Sequence, residues 1–207
     1  MNIENFIRDL TILAPPFLLA LTVHEVAHGR VAYRLGDPTA YNQGRLTLNP
    51  LKHLDPIGTI CFFIMKIGWA KPVPVNPIYF KNPRKDMLWV SLAGPGANFM
   101  LAIASAILAK VLSLAAPLIP NFFLWPLLNM VAASIWINIM FGVFNLVPIP
   151  PLDGSKILMG LLPDGLARSY ARVDRYGFIV LLILFYTGIL PRLIRPIITF
   201  AHGIIAG

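Results

Sequence analysis

No charged residue occurs anywhere between Lys110 and Asp153. A water-soluble fold has to cover itself with charge, and a run of this length offers none. The rest of the chain is built in the same way: 57% of its residues are hydrophobic and 13% are charged, and the mean hydropathy is +0.72. An ordinary soluble domain carries about a quarter charged residues. The bilayer is therefore the solvent for much of the surface. The apolar runs mark the membrane segments. Leu10 to Val23 continues through His24–Gly29 as one helix ending near Gly36. Ile57 to Met65 is short, interrupted by Lys66 and followed by Ile67–Ala70. Met87 to Ala109 is long enough to span at about 1.5 Å rise per residue. Phe122 to Val147 is the fourth. The last runs from Tyr176 to Leu190, where Pro191 and Arg192 interrupt it before a final apolar stretch to Gly207. The expected fold class is an all-α polytopic membrane protein with about four to six apolar segments.

Orientation follows from Lys and Arg. Arg30, Arg34, Arg45 and Lys52 follow the first segment, Lys71, Lys81, Arg84 and Lys85 precede the third, and Arg168, Arg172 and Arg175 follow the fourth. The turn at 117–121 is uncharged. Those basic loops belong in the cytosol and that turn outside. The segment 57–70 has basic flanks on both sides and reads as re-entrant or membrane-dipping. The net charge of +8 is spread between apolar segments rather than along one stripe, which argues against nucleic acid. A single cysteine, Cys61, excludes an internal disulfide and a cysteine-rich metal site. Glu4 and Asp9 stand where a signal peptide would be basic, so no cleavable signal is expected. Two stretches look non-helical. Gly44–Pro50 alternates between turn residues as a short strand would, and the prolines of Lys71–Pro77 force an extended path. With no repeat and no linker, residues 1–207 read as a single integral-membrane domain.

His24-Glu25-Val26-Ala27-His28 matches H-E-x-x-H. Residues four apart on a helix differ by about 40° and lie one turn apart, so both imidazoles face one point. That suits two zinc–nitrogen bonds of about 2.0–2.1 Å. Glu25 sits about 100° round the helix, beside the metal, where it can take a proton from a zinc-bound water and pass it to a leaving amine. Gly29 lets another part of the chain approach closely. Three ionisable residues at the end of an apolar helix are costly to place in a membrane, which makes a chance match the weaker account.

Catalytic zinc takes three protein ligands and keeps an open position. His53, Asp37, Asp55, Asp153, Asp164, Asp174 and His202 are the remaining candidates. His24 and His28 lie near the cytosolic end of the first segment, and Asp153 lies just past the cytosolic end of the fourth. Prolines 148, 150 and 151 turn the chain there, and Gly154 relieves crowding beside the metal. Asp153 is the favoured third ligand; the alternative is an aspartate capping the helix that starts at Gly154.

With these residues in hand, the chain resembles the site-2 protease family of intramembrane zinc metalloproteases. The match covers His24–Gly29, Gly44–Pro50, Ala93–Asn98 and the N-x-x-P-x-x-P-x-D-G pattern of Asn145, Pro148, Pro151, Asp153 and Gly154. The resemblance implies one zinc held by His24, His28 and Asp153, with Glu25 as general acid/base. It also implies that Asn145 positions substrate or stabilises the oxyanion, and that Asn98 lies near the site as a substrate-binding candidate. The chain looks like a short member without PDZ or CBS modules, set in the plasma membrane of a prokaryote and acting on membrane-protein or peptide substrates. Asn138, His53 and His202 read as structural: Asn138 for a hydrogen bond between helices, His53 as an interfacial residue near Lys52. The rival class is a metal-binding membrane transporter or channel. It has no inverted repeat in its favour and gives Glu25 no task.

Overall fold

Helix α1 (Ile3–Arg34) carries Glu4 in its first turn and Arg34 in its last, each at the end of the helix dipole that favours its charge. It stops where Gly36 takes φ +107°, a conformation that a side chain would resist. A short helix, α2 (Thr39–Asn42), follows. Helix α3 (Pro83–Leu114) opens with Asn82 accepting the Lys85 N–H and with Pro83 at its first position, where no N–H is needed. Helix α4 is Asn121–Asn145. The chain then turns through a proline-rich loop into α5 (Asp153–Leu161), α6 (Asp164–Ala171), α7 (Asp174–Tyr186) and α8 (Ile189–Ala206). The structure, a computed structural model, describes residues 3–58 and 70–207. The segment 57–70, expected to be re-entrant, lies mostly outside those residues, and so does Cys61.

Four of the described helices, α1, α3, α4 and α8, are long and apolar enough to cross a membrane. Their outward faces carry exposed Leu19, Ile103, Trp125 and Ile197, which a bilayer accepts and water would not. α3 packs on α1, α4 and α5, and α1 also packs on α4. Ala102, Ala106, Ile135, Ile139 and Val143 form a buried cluster between α3 and α4, and Ile194, Ile198, Ala201 and Ile205 of α8 pack against it. The spacing of those four residues puts them on one face of α8. Small residues in the seam let the α3 and α4 backbones approach, which drives packing in lipid more than apolarity does.

The all-helical membrane architecture agrees with the reading of the sequence, and two details do not. Gly44–Pro50 is not a strand. The Thr47 hydroxyl accepts the Asn49 N–H, and the Asn49 carboxamide accepts the Leu51 N–H and caps a 3-10 turn at Pro50–Lys52. Such local side-chain bonds compete with a ladder. Among the described residues the only β pairing is an isolated antiparallel bridge between Leu54 and Ala70. The break near the C-terminus falls at Gly188 (φ +74°) rather than at Pro191. Pro191 sits in the first turn of α8, where its missing N–H has no helical partner to lose.

Candidate metal centre

His24 and His28 are one turn apart on α1, and both rings are buried. Their Nε2 atoms lie 3.0 Å apart. The loop after α4 folds back, with Gly154 set against the Leu146 and Val147 carbonyls, and places Asp153 at the start of α5. Gly154 thus relieves crowding against that loop backbone, not against the metal position. Asp153 Oδ2 is 3.1 Å from each Nε2. Among the described residues this is the one place where three His, Cys, Asp or Glu donors converge. The helix-cap alternative for Asp153 gains no support, since no side-chain cap bond forms at the start of α5.

Both rings are held from behind. His28 Nδ1 lies 2.7 Å from the Val90 carbonyl, which can only accept, so Nδ1 carries a proton. His24 Nδ1 lies 2.7 Å from Asn98 Oδ1 and donates in the same sense. In the neutral imidazoles each Nε2 therefore turns a lone pair toward the other and toward Asp153. Oδ2 itself is buried and has no hydrogen-bond partner among the described residues. A buried charged oxygen left without a partner costs on the order of several kcal/mol. Three acceptors facing one another repel unless a cation lies among them. Neighbouring ligands of a tetrahedral zinc with bonds of about 2.0–2.1 Å stand roughly 3.3 Å apart, close to the observed 3.0–3.1 Å. The chemistry of the donor set and the orphaned oxygen both fit zinc.

Glu25, half-buried on the adjacent face of α1, accepts the Val73 N–H through Oε2 at 2.8 Å. Its other oxygen has no partner among the described residues. Val73 belongs to the extended proline-rich strap, which is tied down at three further points. The Lys71 N–H bonds to the His53 carbonyl, Arg45 donates to the Lys71 carbonyl at 2.8 Å, and the Asn76 N–H bonds to Asp37 at 2.7 Å. Gly29 makes room for this arrangement. A Cβ there would meet Leu46 at 2.5 Å and Val73 at 3.0 Å.

The other sequence candidates do not join the cluster. Asp37 is wholly buried and bonds Thr39 and Asn76. His53 is buried and bonds the Thr47 carbonyl. Asp55 accepts the Gly58 N–H, and Asp164 pairs with Arg84. Asp174 opens α7. His202 stacks on Trp136 at 4.2 Å. Asn145 donates to the Phe141 carbonyl of its own helix at 3.0 Å and makes no other hydrogen bond among the described residues. Asn98 is fully buried, and its amide is engaged by His24, Ala20 and Asn138. Its carboxamide oxygen faces the His24 ring. Sequence reasoning misses Gly94: a Cβ there would lie 2.5 Å from His28 Nε2 and 2.6 Å from His24 Cε1. The available signal is a glycine inside an apolar helix, next to Pro95 and four residues before Asn98.

Comparison with known proteins points the same way. The family model described as Peptidase family M50 matches residues 119–186, a span that contains the whole Asn145–Gly154 pattern. The chain is 41% identical over 191 residues to the protein named "Putative zinc metalloprotease YwhC" of Bacillus subtilis, covering 87% of this chain and 83% of that one. It is 30% identical over 192 residues to "Putative zinc metalloprotease Rip2" of Mycolicibacterium smegmatis, covering 91% and 71%. A shorter match, 30% over 112 residues, joins 53% of this chain to 30% of "Zinc metalloprotease MJ0392" of Methanocaldococcus jannaschii. No solved structure matches. Over nearly its whole length this chain aligns with proteins of one kind, and it belongs to Peptidase family M50, the site-2 protease family.

Proposed function

We propose that this protein is an intramembrane zinc metalloprotease, a single domain over residues 1–207, which hydrolyses a peptide bond in or near a membrane-spanning segment of its substrate. The observation that carries the reading is the convergence of His24 Nε2, His28 Nε2 and Asp153 Oδ2 within 3.1 Å of one another beside Glu25. These three residues would hold one zinc per chain. Bound there, zinc supplies a Lewis acid and acidifies a water molecule. Glu25 takes the proton of the attacking water on Oε1, which has no partner among the described residues, and delivers it to the leaving amine. The Val73 N–H fixes the other oxygen, so the carboxylate keeps one orientation through both transfers. Asn145, with one amide N–H uncommitted among the described residues, is the proposed donor to the oxyanion. The basic loops support a site on the cytosolic side, and the proposed location is the plasma membrane of a prokaryote.

A helical peptide bond is shielded by its own hydrogen bonds, so the substrate enters extended. The strap offers little edge for it, because the N–H groups of Lys71, Val73 and Asn76 are taken and the prolines have none. The test is cleavage of a membrane-anchored reporter by purified protein in detergent. Cleavage is expected to stop on chelation and to return with zinc. Failure to cleave by the zinc-loaded protein, together with zinc flux into proteoliposomes that His24→Ala abolishes, would replace this reading by the transporter one.

The strap gives a second expectation. Val73→Pro deletes the N–H that Glu25 accepts, and turnover should fall roughly ten-fold, within the range of general acid–base contributions, with zinc content unchanged. Val73→Ala keeps the N–H and trims the side chain, so it separates packing from orientation. Equal losses in the two variants would count against the orienting role.

A further inference from the structure

We infer that Asn98 and Asn138 are positioning residues that set the tautomer of His24, one through the other. This rests on the reading of His24 as a zinc ligand. The chain of hydrogen bonds begins at the end farthest from His24. Asn138 Nδ2 lies 2.8 Å from the Ser134 carbonyl, which can only accept, so the amide nitrogen must face it and Oδ1 must point away. The same nitrogen lies 3.2 Å from Ser134 Oγ, itself 2.8 Å from Ser105 Oγ across the α3–α4 seam. Asn138 Oδ1 then receives Asn98 Nδ2 at 2.9 Å. The Ala20 carbonyl receives that nitrogen as well, at 3.1 Å. Both hydrogens of the Asn98 amide are thereby used, and its oxygen can face only His24 Nδ1, at 2.7 Å.

The order of donors and acceptors allows one arrangement. Flipping Asn98 would set its oxygen against the Ala20 carbonyl and Asn138 Oδ1. Flipping Asn138 would set its oxygen against the Ser134 carbonyl. With Asn98 Oδ1 as the only partner, His24 Nδ1 keeps its proton and Nε2 presents its lone pair. Both asparagines and Ala20 are 0% exposed, so bulk water does not reach these bonds. His28 needs no such chain, because a backbone carbonyl, Val90, does the same work on it directly. One ligand is thus oriented by the backbone of α3, and the other by an amide pair that bridges α1, α3 and α4. Hydrogen-bond partners behind a metal-binding imidazole typically change metal affinity about 10–100-fold when removed.

The experiment measures zinc affinity of the full chain in detergent by chelator competition, with cobalt(II) absorption as a second readout of ligand geometry. Asn98→Leu should weaken zinc about 10–100-fold and alter the cobalt bands. Asn98→Asp keeps an acceptor at Nδ1 but sets its second oxygen against the Ala20 carbonyl and Asn138 Oδ1, so its affinity should fall between wild type and Asn98→Leu. Asn138→Leu should weaken zinc by less than Asn98→Leu, since Ala20 still orients Asn98. If Asn98→Leu does not fold, Asn98→Ala replaces it. Wild-type affinity and bands in a folded Asn98→Leu or Asn98→Ala would overturn the inference, as would an Asn98→Asp no better than Asn98→Leu. His24→Ala separates the inference from the reading beneath it: zinc bound as tightly as in wild type there would remove the metal reading itself.

Discussion

Glu25→Gln should lower cleavage of a membrane-anchored reporter by about 10²–10⁴-fold, the usual contribution of a general acid–base group, and leave zinc content at the wild-type level. The substitution separates position from protonation. A carboxamide has the same shape, and its oxygen can still accept the Val73 N–H now bonded to Glu25 Oε2. What it lacks is an atom that takes and returns a proton near neutral pH. His24, His28 and Asp153 lie 3.0–3.1 Å from one another through their own atoms and use no atom of Glu25. Metal content should therefore not change. Parallel measurements of reporter cleavage and bound zinc decide the matter. Equal cleavage by the two proteins would remove Glu25 from the chemistry.

That contrast also marks how much of the site is legible in the sequence. His24, Glu25 and His28 can be read because one helix carries all three, and a period of about 3.6 residues fixes their relative directions. Asp153 is reached by a coarser argument, the membrane face on which each segment ends, and the structure brings it to both histidines. Contacts between distant helices have no comparable local period. Asn98 is 74 residues from His24 in sequence, and nothing about its neighbours states that its oxygen faces an imidazole rather than a substrate. Asn138 reads as a residue for an interhelical bond, and it does bond Asn98 across the α3–α4 seam. Its connection to His24 emerges only when donors and acceptors are counted along the whole chain of bonds.

The misread elements have local causes. In Gly44–Pro50 the alternation that suggests a strand belongs to Thr47 and Asn49, whose side chains bond nearby backbone and curl the segment. At the C-terminus, Pro191 suggests the boundary because proline disrupts helix interiors, yet three residues earlier Gly188 has already turned the chain. In each case the residue type is read correctly and its position within the turn is not.

Gly94→Ala is expected to have an effect on zinc comparable to deleting a ligand, although it adds only one methyl group to a helix. The new Cβ would lie 2.5 Å from His28 Nε2, 2.6 Å from His28 Cε1 and 2.6 Å from His24 Cε1. Contacts that short do not persist, so something must move. The candidates are two buried rings, each fastened at Nδ1, one to the Val90 carbonyl and one to Asn98. Either ring can retreat only by giving up that bond or by leaving Asp153. Forcing atoms into a packed interior typically costs about 1–3 kcal/mol, and here the strain falls on the ligands themselves. Zinc affinity and reporter cleavage should fall together in Gly94→Ala, to the level of Asp153→Ala. Gly96, two residues on in the same helix, supplies the control. A Cβ there meets nothing within 4 Å among the described residues, and alanine is the better helix former by about 0.5–1 kcal/mol. Gly96→Ala should therefore bind zinc and cleave as wild type does, with a thermal midpoint no lower. Wild-type zinc affinity in Gly94→Ala would mean that the rings do not stand where the structure puts them, and the three converging acceptors would no longer define a metal position.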